Sequence, residues 1–384
     1  MVVRRSSNAV LSLLLLIFFA SSAFSQQAAS ATSTTSKLLE IKIPAPSLKG
    51  NLLGDATDQP IYVYLPPGYQ SSTTKRFPTL YLLHGFGAKS KVWVDGSYQG
   101  FNIQSTMDEL IKTGRVREMI VVAANGFNAY GGSFYTNSPV TGNWEDFIVR
   151  DLVGNIDTNY RTIARAESRG IAGHSMGGYG AMMLAMKHPE LFSAVYALSP
   201  CCMVMDNDMS EANVAWPHIL SLTSRDQLKE KPQSPQDFFT IVFVALSAAM
   251  SPNPSKPPFF VDFPYETKSG PCSESAAGSF VTSAPCVQKV EAINEKWRTK
   301  IPVYIAEANR ENLKKLHGIF LDYGEKEEFA HIRSGVQLFS KTLSELNIPH
   351  QFEVYANGTH GSLIRQRLET RLLVFFDEKL VFEK

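Results

Sequence analysis

Apolar residues come in two rhythms along this chain: short runs, and longer stretches where they recur every three to four positions. The runs at residues 39–43, 61–65, 79–83, 119–123, 169–172, 194–198, 318–321 and 351–355 predict strands. The periodic stretches at 103–113, 144–159, 182–188, 329–346 and 363–380 predict helices. Strand and helix alternate, which predicts an α/β fold with a mostly parallel sheet covered by helices on both faces. Pro66-Pro67-Gly68 and Asn357-Gly358 mark turns, and no internal repeat is visible.

Two stretches break the rhythm. Behind Arg4 and Arg5, residues 9–24 form an apolar run too short to span a bilayer comfortably, and it ends in Ala23-Phe24-Ser25, a small-x-small site. This predicts a signal peptide over residues 1–25 with cleavage before Gln26, hence export to the periplasm or the medium; a retained anchor is the alternative. Residues 26–36, rich in Ala, Ser, Thr and Gln, read as a disordered leader, and residues 37–384 as one domain. The second break, residues 203–300, concentrates prolines such as Pro252, Pro254, Pro257, Pro258 and Pro264 between two predicted strands. Its position predicts a cap or lid over the carboxyl edge of the sheet; a long loop on the far side is the alternative.

Composition narrows the function classes. A hydrophobic content of 44% supports a large core, and a formal net charge of +1 with no basic stripe argues against a nucleic-acid or acidic-membrane partner. Residues 242–250 are apolar but far too short to span, so no membrane association is expected after signal cleavage. Four cysteines in an exported chain suggest disulfide chemistry. Cys272 and Cys286 flank a short small-residue loop and are the best-placed pair, whereas adjacent Cys201 and Cys202 follow a predicted strand and read as buried thiols.

The candidate chemistry centres on Arg169-Gly-Ile-Ala-Gly-His-Ser-Met-Gly-Gly-Tyr179. Gly173-x-Ser175-x-Gly177 lies between a predicted strand and a predicted helix, the setting of a nucleophile elbow. Serine on so tight a turn sits at strained dihedrals, and only glycine fits where strand and helix backbones approach. A serine nucleophile needs a base, and the base an orienting carboxylate, in the chain order Ser, acid, His. Of eight histidines, His360 alone lies in a turn-rich loop just past the last predicted strand. The acid should follow the preceding strand, where Asp322, Glu325, Glu327 and Glu328 compete. Oxyanion donors should be the backbone N–H of Met176, after the nucleophile, and that of Phe86 in His84-Gly85-Phe86-Gly87. Phe127 and Trp144, at the carboxyl edge, are candidate substrate contacts. No zinc-ligand spacing, P-loop or dinucleotide fingerprint is present, and this chemistry requires no cofactor.

These motifs resemble the esterase D-like family of α/β-hydrolases, which includes feruloyl esterases, S-formylglutathione hydrolases, enterochelin esterases and mycolyltransferases. The resemblance is carried by Tyr64-Leu-Pro-Pro-Gly-Tyr69, Leu82-Leu-His-Gly85, Trp144-Glu-Asp-Phe147, the elbow, His188-Pro-Glu-Leu-Phe192 and His350 to His360. It implies an α/β-hydrolase fold, Ser175 as nucleophile, His360 as base and hydrolysis through an acyl-enzyme. The family's acid is usually an aspartate three residues after the glycine of a Gly-x-x-Asp pattern; that position here holds Glu327, which the resemblance therefore favours. The expectation is an exported serine carboxylesterase acting on a small or medium acyl ester, a small-molecule or saccharide-linked substrate. An acyltransferase with the same triad and a non-catalytic binding protein on the same scaffold are the alternatives.

Overall fold

The computed structural model describes residues 35–228, 233–269 and 286–383. Among these, the large sheet has eight strands: β1 (Lys37–Pro44), β2 (Asp58–Leu65), β3 (Thr79–Leu83), β4 (Ile120–Ala124), β5 (Arg169–His174), β6 (Ala194–Leu198), β7 (Gly318–Gly324) and β8 (Gln351–Tyr355). Their spatial order is β1-β2-β4-β3-β5-β6-β7-β8. β1 and β2 pair antiparallel, β2 meets β4 antiparallel, and every other pairing is parallel.

The central strands are buried throughout because both sheet faces are covered. Side chains alternate between two cores: Tyr81, Leu83, Val122, Ile171 and Val195 on one face, Leu80, Leu82, Val121, Ala172 and Tyr196 on the other. Helix α1 (Ile103–Lys112) covers the second face; it starts where the Asn102 side chain accepts from the Ser105 N–H. Helix α2 (Met176–Lys187) covers the first and is buried along nearly its whole length. The segment after β4 is helical from Trp144–Asp146 through a π turn at Phe147–Leu152 to Val153–Asn159.

The chain between β6 and β7 contains the helix Ala215–Ser221, helix α3 (Pro235–Met250) and a two-stranded ribbon, Tyr265–Thr267 with Val287–Lys289. Ser234 caps α3 by accepting from the Asp237 N–H, and Pro235 occupies its first turn. This stretch does more than lie over the domain. The Trp216 and Phe243 rings stack 4.1 Å apart, and Ser138 Oγ donates to the Ala248 carbonyl at 2.6 Å. The apolar run of α3 is buried in the same core as the first sheet face. Helix α4 (Ala330–Glu345) then follows β7, with Ile332, Val336 and Phe339 fully buried.

The expected signal peptide and Cys272 lie outside the described residues. So does nearly all of the expected leader, but its last residue corrects that boundary: Ser36 is buried, its Oγ donating to Asp108 Oδ2 at 2.7 Å. Cys201 and Cys202 are buried free thiols. No helix among the described residues is long and apolar enough to cross a membrane.

Candidate active site

Strand β5 runs into α2 through Ser175, whose φ of 57° and ψ of −118° place a non-glycine residue in strained backbone. The turn is that tight because strand and helix nearly touch: a Cβ on Gly173 would collide with the Gly177 backbone, and one on Gly177 with the Leu83 carbonyl. Ser175 is also the one residue from Arg169 to Met186 that is not buried. The Ser175 N–H donates to the Leu198 carbonyl at 3.0 Å, tying the elbow to the neighbouring strand.

Loop 84–87, after β3, lies beside the elbow; a Cβ on Gly85 would sit 3.4 Å from that of Ser175. His84 holds this loop from within. Its Nε2 accepts from the Gly126 N–H at 2.8 Å, so Nδ1 carries the proton and donates to the Gly85 carbonyl at 2.9 Å. Burial lowers its pKa to about 4 and keeps the ring neutral. The Tyr135 hydroxyl donates to the His84 carbonyl, and the Gly87 N–H donates to the Gly131 carbonyl. The N–H groups of Phe86 and Met176 have no protein acceptor among the described residues. Met176 opens α2, where a helix leaves its N–H groups free and its dipole favours negative charge.

On the other side, the turn after β7 is zipped to the loop after β8. The Glu325 N–H donates to the Tyr355 carbonyl and the Lys326 N–H to the Gly358 carbonyl. His360 Nδ1 donates to Glu327 Oε2 at 2.9 Å, and Glu327 is fully buried. Its other oxygen, Oε1, accepts from the Phe329 N–H at 3.2 Å. Exposed Glu328 takes the His360 backbone instead, Oε2 accepting its N–H at 2.7 Å. Glu325 Oε2 accepts from the Asn357 N–H. Both Glu327 and Glu328 precede α4, so helical phase does not decide which of them is buried.

Asp322 belongs to a different cluster. Its Oδ2 accepts from Arg367 Nη2 at 2.6 Å and from the Tyr196 hydroxyl at 2.5 Å, committing it to the sheet. Complete burial raises its pKa to about 6, against the pull of Arg367.

A groove of about 470 Å³ opens beside His360, lined by Pro235, Phe238, Phe239, Glu328 and Phe329. Phe238, from the first turn of α3, stacks on Phe329 at 5.8 Å and meets Phe86 edge-on at 6.2 Å. Phe329 in turn sets its ring edge-on to His360 at 4.9 Å. Neither Phe238 nor Phe329 was expected from the sequence as a site residue, although Ser234-Pro235-x-Asp237 is a readable helix start just ahead of Phe238.

The two expected substrate contacts lie elsewhere. Trp144 is fully buried, donates from Nε1 to the Thr141 carbonyl at 2.8 Å and packs edge-on against Phe147. It starts a helical segment whose apolar side faces the core, and it is a packing residue. Phe127 is half-buried under Lys89 Nζ, 4.6 Å from its ring, and does not line the groove.

Comparison with known proteins agrees with this architecture. A ferulic acid esterase superposes with a TM-score of 0.57 at 20% identity, covering 90% of this chain and 100% of that one. An S-formylglutathione hydrolase from Agrobacterium tumefaciens gives 0.53 at 16% identity, covering 91% and 98%. In sequence, a protein of Xylanibacter ruminicola named endo-1,4-beta-xylanase/feruloyl esterase is 33% identical over 138 residues, 34% of this chain and 18% of its own. An esterase of Mycobacterium tuberculosis is 34% identical over 139 residues, 35% of this chain and 27% of its own. The chain thus spans less than a third of the curated relatives it matches. The family model described as "Putative esterase" matches residues 56–363, from β2 through the elbow and past His360. A chain with this sheet order and this elbow, matched over that length, belongs to the esterase family of α/β-hydrolases.

Proposed function

We propose that the protein is an exported serine carboxylesterase with Ser175 as nucleophile, His360 as general base and Glu327 as the orienting acid. The observation that carries this reading is the 2.9 Å bond from His360 Nδ1 to a fully buried Glu327, beside the strained Ser175 turn. With Nδ1 protonated and held, Nε2 keeps the lone pair that a base needs. His360 Nε2 takes the proton of Ser175 as Oγ attacks the ester carbonyl, and Glu327 stabilises the imidazolium. The N–H groups of Phe86 and Met176 receive the oxyanion, and collapse expels the alcohol with the proton from His360. Water then repeats the sequence on the acyl-enzyme.

The groove between α3 and the Glu328–Phe329 turn supports an apolar, ring-sized acyl group, because aromatic walls accept one at little desolvation cost. The chain between β6 and β7 then serves as the cap. Export rests on the arginine-led apolar run at residues 9–24 and its small-x-small end.

The test is turnover of p-nitrophenyl, cinnamoyl and acetylated-sugar esters by the wild type and by Ser175→Ala, with added alcohols to detect acyl transfer. Hydrolysis that disappears in Ser175→Ala is expected. Near wild-type turnover by that variant would end the serine-esterase reading.

A further inference from the structure

His174 stands between the strand and the nucleophile, and its ring is used at both nitrogens. Nε2 lies 2.9 Å from the His360 carbonyl, which can only accept, so Nε2 carries the proton. Nδ1 therefore has the lone pair and accepts from the Tyr98 hydroxyl at 3.3 Å. The Tyr98 oxygen in turn accepts from the Gly85 N–H at 3.4 Å. A single set of proton positions satisfies the whole chain, from the loop carrying the Phe86 N–H to the loop carrying His360. The rings are packed as well: Tyr98 is edge-on to Trp93 at 4.9 Å and to His174 at 5.4 Å, and His174 lies 4.7 Å from the His360 ring.

We propose that His174 is a positioning residue that fixes the separation between the base and the oxyanion donor on either side of Ser175. The inference rests on the serine-esterase reading. Its physical content is that the two loops are tied to opposite nitrogens of the residue preceding the serine, and a displacement on the order of 1 Å in such a site costs about 10²-fold in rate. Burial lowers the His174 pKa to about 3, so ring and tautomer stay fixed across the working range. The titratable groups facing it are Tyr98 and His360, with Glu327 and Glu328 bound to His360 from beyond.

Two isosteres separate this role from that of a space-filling core histidine. In His174→Gln the carboxamide nitrogen reaches the Nε2 position and can still donate to the His360 carbonyl. In His174→Asn the polar group reaches only the Nδ1 position, and that bond is lost. With p-nitrophenyl acetate, His174→Asn should lower kcat about 100-fold and His174→Gln less than about 10-fold, with KM within about twofold in both. Tyr98→Phe, which keeps the ring packing, should lower kcat several-fold and provides the readout if a His174 variant fails to fold. Equal kcat values in the two His174 variants, or a Tyr98→Phe enzyme at wild-type kcat, would overturn the inference. Those results beside an inert Ser175→Ala leave the esterase reading standing; an active Ser175→Ala removes that reading itself.

Discussion

Replacing Glu327 by glutamine alters one atom and one charge behind His360. In the wild type, Oε2 faces the His360 Nδ1–H at 2.9 Å and Oε1 faces the Phe329 N–H at 3.2 Å, so both oxygens meet donors. A carboxamide has one oxygen. If that oxygen turns to His360, its NH2 opposes the Phe329 N–H in a site without solvent exposure, leaving donors unpaired at about 1–3 kcal/mol each. If it turns to Phe329, the NH2 donates to Nδ1 and the imidazole proton moves to Nε2. The second arrangement satisfies every hydrogen bond and presents Ser175 with an N–H where a lone pair is needed. Loss of the correct tautomer in a serine triad lowers kcat about 10⁴-fold, equivalent to about 5 kcal/mol of barrier. Glu328→Gln is the internal control. Among the described residues its exposed carboxylate accepts the His360 backbone N–H at 2.7 Å, a bond a carboxamide oxygen can also accept, so kcat should stay within about fivefold. The assay is kcat on p-nitrophenyl acetate, with thermal melting to confirm folding. If Glu327→Gln kept kcat within tenfold of wild type, or Glu328→Gln proved the more damaging change, the assignment of the acid would be refuted.

Burial of His174 makes a linkage prediction. The unfolded chain takes up a proton near pH 6.5 and the folded one only near 3, so this residue's contribution to stability is lost as pH falls through that window. Urea unfolding of His174→Gln and wild type should therefore differ by roughly 2 kcal/mol more in the variant's favour at pH 4.5 than at 6.5. The comparison with the variant is needed because Asp55 and Asp322, each raised to about 6 by burial, act with the opposite sign in wild type. A pH-independent difference would contradict the neutral buried ring. Phe238→Ala should raise KM for a cinnamoyl ester by up to about tenfold through the loss of aromatic contact, and leave p-nitrophenyl acetate unchanged. Equal effects on both esters would remove Phe238 from the acyl groove. Trp144→Phe deletes the donor to the Thr141 carbonyl and should cost about 2 kcal/mol of stability with KM within twofold. A raised KM at unchanged stability would return Trp144 to the substrate site.

What the sequence reveals here divides by the range of the forces involved. β3 and β6 match their expected limits as self-contained apolar runs, and β8, where Phe352 and Val354 alternate with Gln351, Glu353 and Tyr355, matches them ahead of the Asn357-Gly358 turn. β7 extends past its apolar run to Gly324 because pairing with Tyr355 of β8 carries it there. The elbow is legible because its glycines keep a fixed spacing around the serine, although only Gly173 answers to a backbone a few residues away, that of Gly177; Gly177 itself faces the Leu83 carbonyl of β3. Glu327 stands out only through family resemblance, since its burial arises where two turns some thirty residues apart close on each other. Trp144 misled because a strand's carboxyl edge and a helix start coincide there, and the helix decides where the ring goes. Helix α3 was missed for a related reason: it is apolar nearly all round, which erases the period that marks a surface helix. The consequence is an asymmetry within the site. The groups assigned to bond breaking come from motifs that are short in sequence, whereas the groove wall at Phe238 comes from a segment whose place beside His360 is set by packing against Phe86 and Phe329. A sequence of this kind can therefore declare its reaction class while leaving its ester unnamed, because specificity is written in contacts that exist only after folding.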